Sequence, residues 1–373
     1  MIRMTALRFT MATLLAPLAF GANYLMYVGT YTGAKSKGIY AFRFDSATGQ
    51  ATPLGVAAEV SSPSFVTVHP NRKYLYSVGE LEGGAVNAFS VDQATGKLKL
   101  LNTVSSKGDG PCHLNVDKTG RNLLVVNYGS GSTSVFPVNE DGSLKEASSN
   151  IQHQGSGADK GRQQGPHAHS VNMSPDNRFA IVADLGLDEV KVYKLDAAAG
   201  KIEPNNPPFT KVKAGGGPRH FAFHPNGKQG YVINEMGMAI TAFKYDAKKG
   251  VLTETQMIST LPPGFSGSQQ GFSTAEVAVH PSGKFVYGSN RGHDTITVFR
   301  VKGKKLAYVE NVDTQGKTPR NFVVDPSGQF LLAENQGSDS IVFFKIDKKT
   351  GKLTPTGQKL EVGSPVCIRF LAL

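Results

Sequence analysis

Tryptophan is absent from the 373 residues, and cysteine occurs only twice, at Cys112 and Cys367. Two thiols exclude a disulfide-stapled scaffold, and no Cys/His pair has the spacing of a structural zinc site. No glycine-rich loop follows a strand to open a helix, so a nucleotide-type phosphate cradle is not read here. Helical periodicity is missing, and no run after the N-terminus is long enough to cross a bilayer. What the chain does have is 42 Gly, 20 Pro, 39% hydrophobic and 18% charged residues. That mixture fits many short strands joined by tight turns around an ample core.

The N-terminus carries Arg3 and Arg8, then an uncharged apolar run from Phe9 to Phe20, then the small residues Gly21 and Ala22. This reads as a secretory signal peptide over residues 1–22, too short to span a membrane, with one folded domain over 23–373. The expected location is therefore periplasmic or secreted, with no membrane association beyond export. The formal charge of +11 becomes +9 once Arg3 and Arg8 are removed. Much of the surplus falls at one point of a repeat, in Lys97/Lys99, Lys248/Lys249, Lys302/Lys304/Lys305 and Lys348/Lys349/Lys352. Lysines spread evenly over outer hairpins read as solvated edge protection, and no clustered basic stripe with stacking aromatics points to nucleic acid.

The repeat dominates the chain. A turn with Pro, a short apolar run, a Pro-x-Gly-like turn and a second apolar run ending in a polar pair recur. The copies run Pro63 to Glu80, Pro111 to Tyr128, Ala168 to Leu185, Pro218 to Glu235, Thr274 to Arg291 and Pro319 to Gln336. Spacings of roughly 45 to 55 residues match a four-stranded propeller blade. Two terminal fragments complete a seventh: Ser364 to Phe370 matches a first strand, and Tyr24 to Tyr31 with Gly38 to Phe44 match a second and third. The fold expected is all-β, a seven-bladed β-propeller of four-stranded antiparallel blades, its ring closed by N- and C-terminal strands within one blade. Stability is expected from packing between blades rather than from a disulfide, because Cys112 and Cys367 fall in blades that are not neighbours.

Residues that break the repeat at the channel mouth are the functional candidates. The position after the leading Pro, or its equivalent, reads Ser64, Cys112, His169, Arg219, Ala275, Arg320 and Val366. The pair closing the second strand reads Gly79/Glu80, Asn127/Tyr128, Asp184/Leu185, Asn234/Glu235, Asn290/Arg291 and Asn335/Gln336. Charges at such sites are costly to bury unless they meet water or a ligand. The recurrent Asn reads mainly as a turn-satisfying residue, and Asp184 in its place is open. Histidines in the His-Pro turn, His69, His224 and His280, read as turn caps, and His113 and His220 as structural. One blade carries two extra residues within Gly165 to Ser170, which presents His167 and His169 on alternate positions.

Together, Gly165-Pro-His-Ala-His, Gly217-Pro-Arg-His, Asn234-Glu235 and Ser289-Asn290-Arg291-Gly292, each in its own blade, resemble the seven-bladed lactonase family. That family includes the propeller-type 6-phosphogluconolactonases and the fungal 3-carboxy-cis,cis-muconate cyclase. The resemblance implies a lactonase, a carboxylic ester hydrolase of sugar metabolism without a cofactor. It maps catalytic roles onto His169, Arg219, Glu235 and Arg291, with His167 as fallback in the insertion. His167, Arg320, Glu80 and Asn290 are expected as substrate contacts.

The chemistry of these residues agrees with that mapping. His169 or Glu235 would activate water, Arg219 would polarise the lactone carbonyl and Arg291 would hold an anionic group. Replacing Arg219 or Glu235 should then abolish turnover while leaving the melting temperature largely unchanged. The expected partner is a small anionic or sugar lactone, met by a monomer. Two alternatives stay open: a muconate-type lactonising cyclase, and a propeller that only binds. A metal-dependent gluconolactonase using Glu235 and the Asn ring is disfavoured, because two arginines in the mouth repel a divalent cation.

Overall fold

The structure is a computed structural model that describes residues 23–373; the expected export segment, 1–22, lies outside the described residues. Alternating apolar residues bounded by Gly and Pro turns give seven sheets of four antiparallel strands, as the repeat requires. The innermost strands are Val66–Val68, Pro111–Val116, Ala168–Met173, Pro218–Phe223, Ser273–Val279, Pro319–Val324 and Pro365–Ala372. Each packs against the next, and the last meets the first, so they enclose an axis. The closing sheet runs outward as Pro365–Ala372, Asn23–Thr30, Gly38–Asp45 and Ala51–Glu59. Leu25 lies opposite Leu371 and Val28 opposite Ile368. This is the seam expected from the two terminal fragments. Among the described residues the one helical piece is a 3-10 turn, Gln336–Ser338, and no helix is long and apolar enough to cross a membrane.

The core lies between blades. Met26, Val28, Phe42 and Phe44 of the closing sheet pack against Phe330, Leu332 and Phe343 of its neighbour. Burying each such side chain stabilises the fold by about 1.5–3 kcal/mol, so the ring is held by its interfaces. Tyr76 and Tyr287 are fully buried and still satisfied, their hydroxyls donating across the interface to Gly142 O and Gly351 O at 3.1 Å. Cys112 and Cys367 are free and buried, as a core built this way allows. The hairpin lysines named above are all exposed.

The His-Pro turns do more than cap themselves. The Nδ1 atoms of His69, His224 and His280 accept from the amides of Asn71, Asn226 and Ser282 at 3.0–3.1 Å. Their Nε2 atoms each reach 2.8 Å to a glycine carbonyl of the next blade, Gly120, Gly283 and Gly328. Those glycines have φ of +74°, +72° and +70°, and a Cβ on any of them would strike the imidazole at 2.5–2.8 Å. Only glycine fits both the turn and the clasp.

Five inner strands share a one-residue register break near their starts, at Pro111/His113, Ala168/Ser170, Pro218/His220, Pro319/Asn321 and Pro365/Cys367, and Ser273–Val279 has one at Thr274/Val277. A bulge places two residues against one and re-aims the side chains around it. As a result Arg219 and His220, and likewise Arg320 and Asn321, line the same small chamber on the axis. A strict alternation would have hidden one of each pair.

Candidate active site

The starts of the inner strands and the ends of the second strands meet at one end of the axis. There a cavity of roughly 330 Å³ is lined by Glu80, Cys112, Tyr128, Arg162, His169, Glu235, Ser273, Arg291 and Arg320. Glu235 follows the strand Gln229–Asn234, and Arg291 ends the strand Phe285–Arg291. Their positions thus follow from where the second strands terminate.

Glu235 organises one half of the cavity. Its Oε2 forms ion pairs with Arg219 Nε at 3.0 Å and Arg291 Nη2 at 2.9 Å. Its Oε1 accepts from Arg162 Nη2 at 2.8 Å. Burial alone would raise the Glu235 carboxyl, but Arg291, Arg219 and Arg162 outweigh it and bring it down to about 2. Burial, together with Arg320 and Arg291, pulls Arg219 down to about 10, so it stays charged at neutral pH. Arg219 also donates to Ala275 O at 2.6 Å, and Arg291 to Thr274 O at 2.8 Å.

A second network occupies the other half. Arg320 Nη2 donates to the Tyr31 hydroxyl at 2.9 Å, and that hydroxyl donates to Glu80 Oε2 at 2.8 Å. Ser64 Oγ donates to the same carboxylate oxygen. The Arg320 guanidinium lies over the Tyr31 ring, 5.3 Å from its centroid. Four guanidinium groups therefore surround two carboxylates, which leaves this end of the axis positive.

His169 faces the cavity from the second position of its inner strand, with Nδ1 3.8 Å from Cys112 Sγ and, among the described residues, no other side chain hydrogen-bonded to its ring. Burial, then the charges of Arg219, His220 and Arg320, hold its pKa well below the ordinary 6.5. The imidazole is neutral at physiological pH. Burial likewise pushes the Cys112 thiol far up, which keeps it protonated.

Of the residues singled out in the sequence, His169, Glu235, Arg291, Arg320 and Glu80 line this cavity. Arg219 does not; it lies beneath, in the chamber shared with His169, Tyr31 and Arg320, and reaches the cavity through Glu235. His167 is also displaced from the cavity: its ring stacks on Tyr128 at 4.5 Å and its Nδ1 contacts Tyr128 O at 2.9 Å. It braces a wall residue. Asn290 is fully buried, with its amide donating to Thr260 O, Thr295 Oγ1 and Thr297 Oγ1 at 2.9–3.1 Å. Those bonds tie it to the strand end, and it is not among the residues that line the cavity. Asp184 is structural too, paired with buried His153 at 2.5 Å and accepting from His167 N at 2.8 Å.

Arg162, Tyr31 and Tyr128 were not singled out. Arg162 sits in a connecting segment where the repeat supplies no alignment, whereas Tyr31 and Tyr128 directly follow second strands, the place Glu235 takes in its own blade, where an aromatic does not stand out. Below the chamber, His220 Nδ1 pairs with Glu276 Oε2 at 2.9 Å, and Asn321 donates to that oxygen at 2.6 Å. His220 is thus structural, as its repeat position implied.

Comparison with known proteins agrees with this geometry. The family model for the seven-bladed β-propeller lactonases matches residues 25–370. A 6-phosphogluconolactonase of Bacillus subtilis is 39% identical over 352 residues, covering 94% of this chain and 99% of the relative. One of Formosa agariphila is 38% identical over 346 residues, covering 90% and 96%. Among solved structures, the periplasmic gluconolactonase of Pseudomonas aeruginosa superposes with a TM-score of 0.88 at 33% identity, covering 94% of this chain and 99% of that one. A repeat-built ring, a mouth lined by His169, Glu235 and Arg291, and similarity along almost the whole folded chain converge: the protein belongs to the seven-bladed β-propeller lactonase family.

Proposed function

We propose that this chain hydrolyses a sugar or aldonic-acid lactone in the cavity at the mouth of its axis. The observation that carries the reading is a neutral imidazole, His169, facing a cavity walled by Arg162, Arg291 and Arg320. Lactone hydrolysis needs a base for water and positive charge where the tetrahedral oxyanion develops. His169 takes a proton from water as the water oxygen adds to the carbonyl carbon. Arg291 or Arg320 stabilises the oxyanion, the ring C–O bond breaks, and the proton returns to the departing alkoxide. The product is an open-chain hydroxy acid.

Glu235 is a poor base in this arrangement, since a carboxylate brought down to about 2 by three arginines has little proton affinity at neutral pH. Its role is to hold the guanidinium groups in place. Arg219, beneath the cavity, is a positioning residue acting through Glu235. The positive excess favours substrates with a phosphate or carboxylate, because an anionic group balances charge that a neutral lactone leaves unmet. The N-terminal sequence pattern and the similarity to a periplasmic gluconolactonase support a reaction outside the cytoplasm.

A proton-release assay across aldono-, sugar-phosphate and dicarboxylate-derived lactones tests the reading. Hydrolysis by the wild-type protein and its loss in His169→Asn are expected. No turnover on any lactone, with retained binding, would assign the protein to ligand capture instead.

A further inference from the structure

Arg162 is held differently from the other three arginines. It belongs to no strand, lying between the strands Ser149–Gln152 and Ala168–Met173 in a segment outside the repeat. Its backbone is nonetheless fixed. Gly157 N donates to Gln163 O at 2.9 Å and Gln163 N to Asp159 O at 2.8 Å. Asp159 Oδ1 accepts from the amides of Gly161 and Arg162 at 2.8 and 2.9 Å. The buried Gln163 amide donates to Leu185 O and Asp188 Oδ1, both at 2.7 Å.

On this rigid platform the Arg162 side chain is 48% exposed, against 2% for Arg219 and 13% for Arg291. Its guanidinium contacts Glu235 Oε1 and, at 3.4 Å, the Tyr128 hydroxyl. Arg219 and Arg291 each hold a backbone carbonyl as well as Glu235. If Arg162 swings away, Glu235 keeps two buried cationic partners, Arg219 and Arg291. Moving either of the others would break the blade ends that they tie together. Arg162 is half in water while Glu235 stays paired, so exchanging this contact leaves neither a buried guanidinium nor an unpaired carboxylate.

We propose that Arg162 is the specificity-determining residue of this cavity: it exchanges its Glu235 contact for the anionic substituent of an incoming lactone and so separates charged lactones from uncharged ones. The inference rests on the lactonase reading for its substrate, but the anion contact itself does not require turnover. A planar fork suits phosphate and carboxylate oxygens alike, and a substituent remote from the ring would meet it at the cavity rim.

The test compares Arg162→Gln and Arg162→Lys with wild type on 6-phosphogluconolactone and unphosphorylated gluconolactone, and titrates inorganic phosphate calorimetrically. Loss of one charge-assisted contact should lower the phosphorylated-to-neutral ratio of kcat/KM by about tenfold in the Gln variant, chiefly through KM. The phosphate Kd should rise by about the same factor, and Lys should fall between the two, lacking the fork. Proportionate loss on both lactones, or a phosphate Kd within about twofold of wild type, overturns the proposal. Should wild type hydrolyse neither lactone, the lactonase reading fails while the phosphate titration still decides the role of Arg162.

Discussion

Arg219 Nε stands 3.0 Å from Glu235 Oε2 with both side chains almost shut off from solvent. The pair joins two adjacent strands of one blade at the floor of the cavity. Removing either partner strands charge in a buried place, so these substitutions should lower the melting temperature as well as turnover. Glu235→Gln should cost about 3 kcal/mol of stability by leaving buried guanidinium groups uncompensated, alongside at least a hundredfold loss of turnover. Urea unfolding together with kcat checks both. Full activity at reduced stability would confine Glu235 to the fold.

His169 should set the acid limb of the rate profile. The neutral ring is the working form, and burial with Arg219, His220 and Arg320 lowers its pKa. Activity should therefore persist below pH 6.5 and fall only in more acid solution. Arg320→Gln removes one of the positive charges, so the limb should move to higher pH. His169→Asn should lose about 10²- to 10⁴-fold in kcat. A profile unmoved by the Arg320 change would take His169 out of the proton transfer.

Glu334 is a cost built into the axis wall. It is fully buried, and burial holds its pKa well above 4.5 despite the nearby Arg369 and the Ile368 backbone. A carboxyl whose folded pKa is raised destabilises the fold as pH climbs above the unfolded value. Glu334→Gln should accordingly raise the urea midpoint at pH 7, with the gain shrinking as pH falls toward 4.5. A midpoint that drops at both pH values would mean that the carboxylate is needed in the fold.

Chelation should leave turnover unchanged. Arg162, Arg219, Arg291 and Arg320 converge on the cavity and its floor, and a divalent cation there would meet like charge on every side. Assays with and without a strong chelator settle the point. A loss restored by calcium or magnesium would require another mechanism.

The ring was legible in the sequence because each blade repeats its turn chemistry, and even the shared seventh blade followed from two leftover fragments. The placing of His169, Arg320, Glu80, Glu235 and Arg291 was legible for the same reason: they carry ionisable groups at repeat positions that the fold brings to one end of the axis. The surroundings of Asn290 were not legible, because an amide at a strand end looks the same in sequence whether it faces a ligand or the Thr260 carbonyl. Arg219 was assigned to the cavity itself because alternation could not reveal the bulge that sinks it to the floor. Arg162 had no aligned counterpart to stand out against, and neighbours such as Asp159 and Gln163, which fix it, act only through the folded loop.

The innermost strand of the closing sheet, Pro365–Ala372, is also the last strand made. Until those residues emerge, Asn23–Thr30 has no partner on its axial side, and the first and last thirds of the chain share no finished sheet. A chain folding as it is synthesised would thus stay unsealed until this strand is available, and circular completion would follow every other blade.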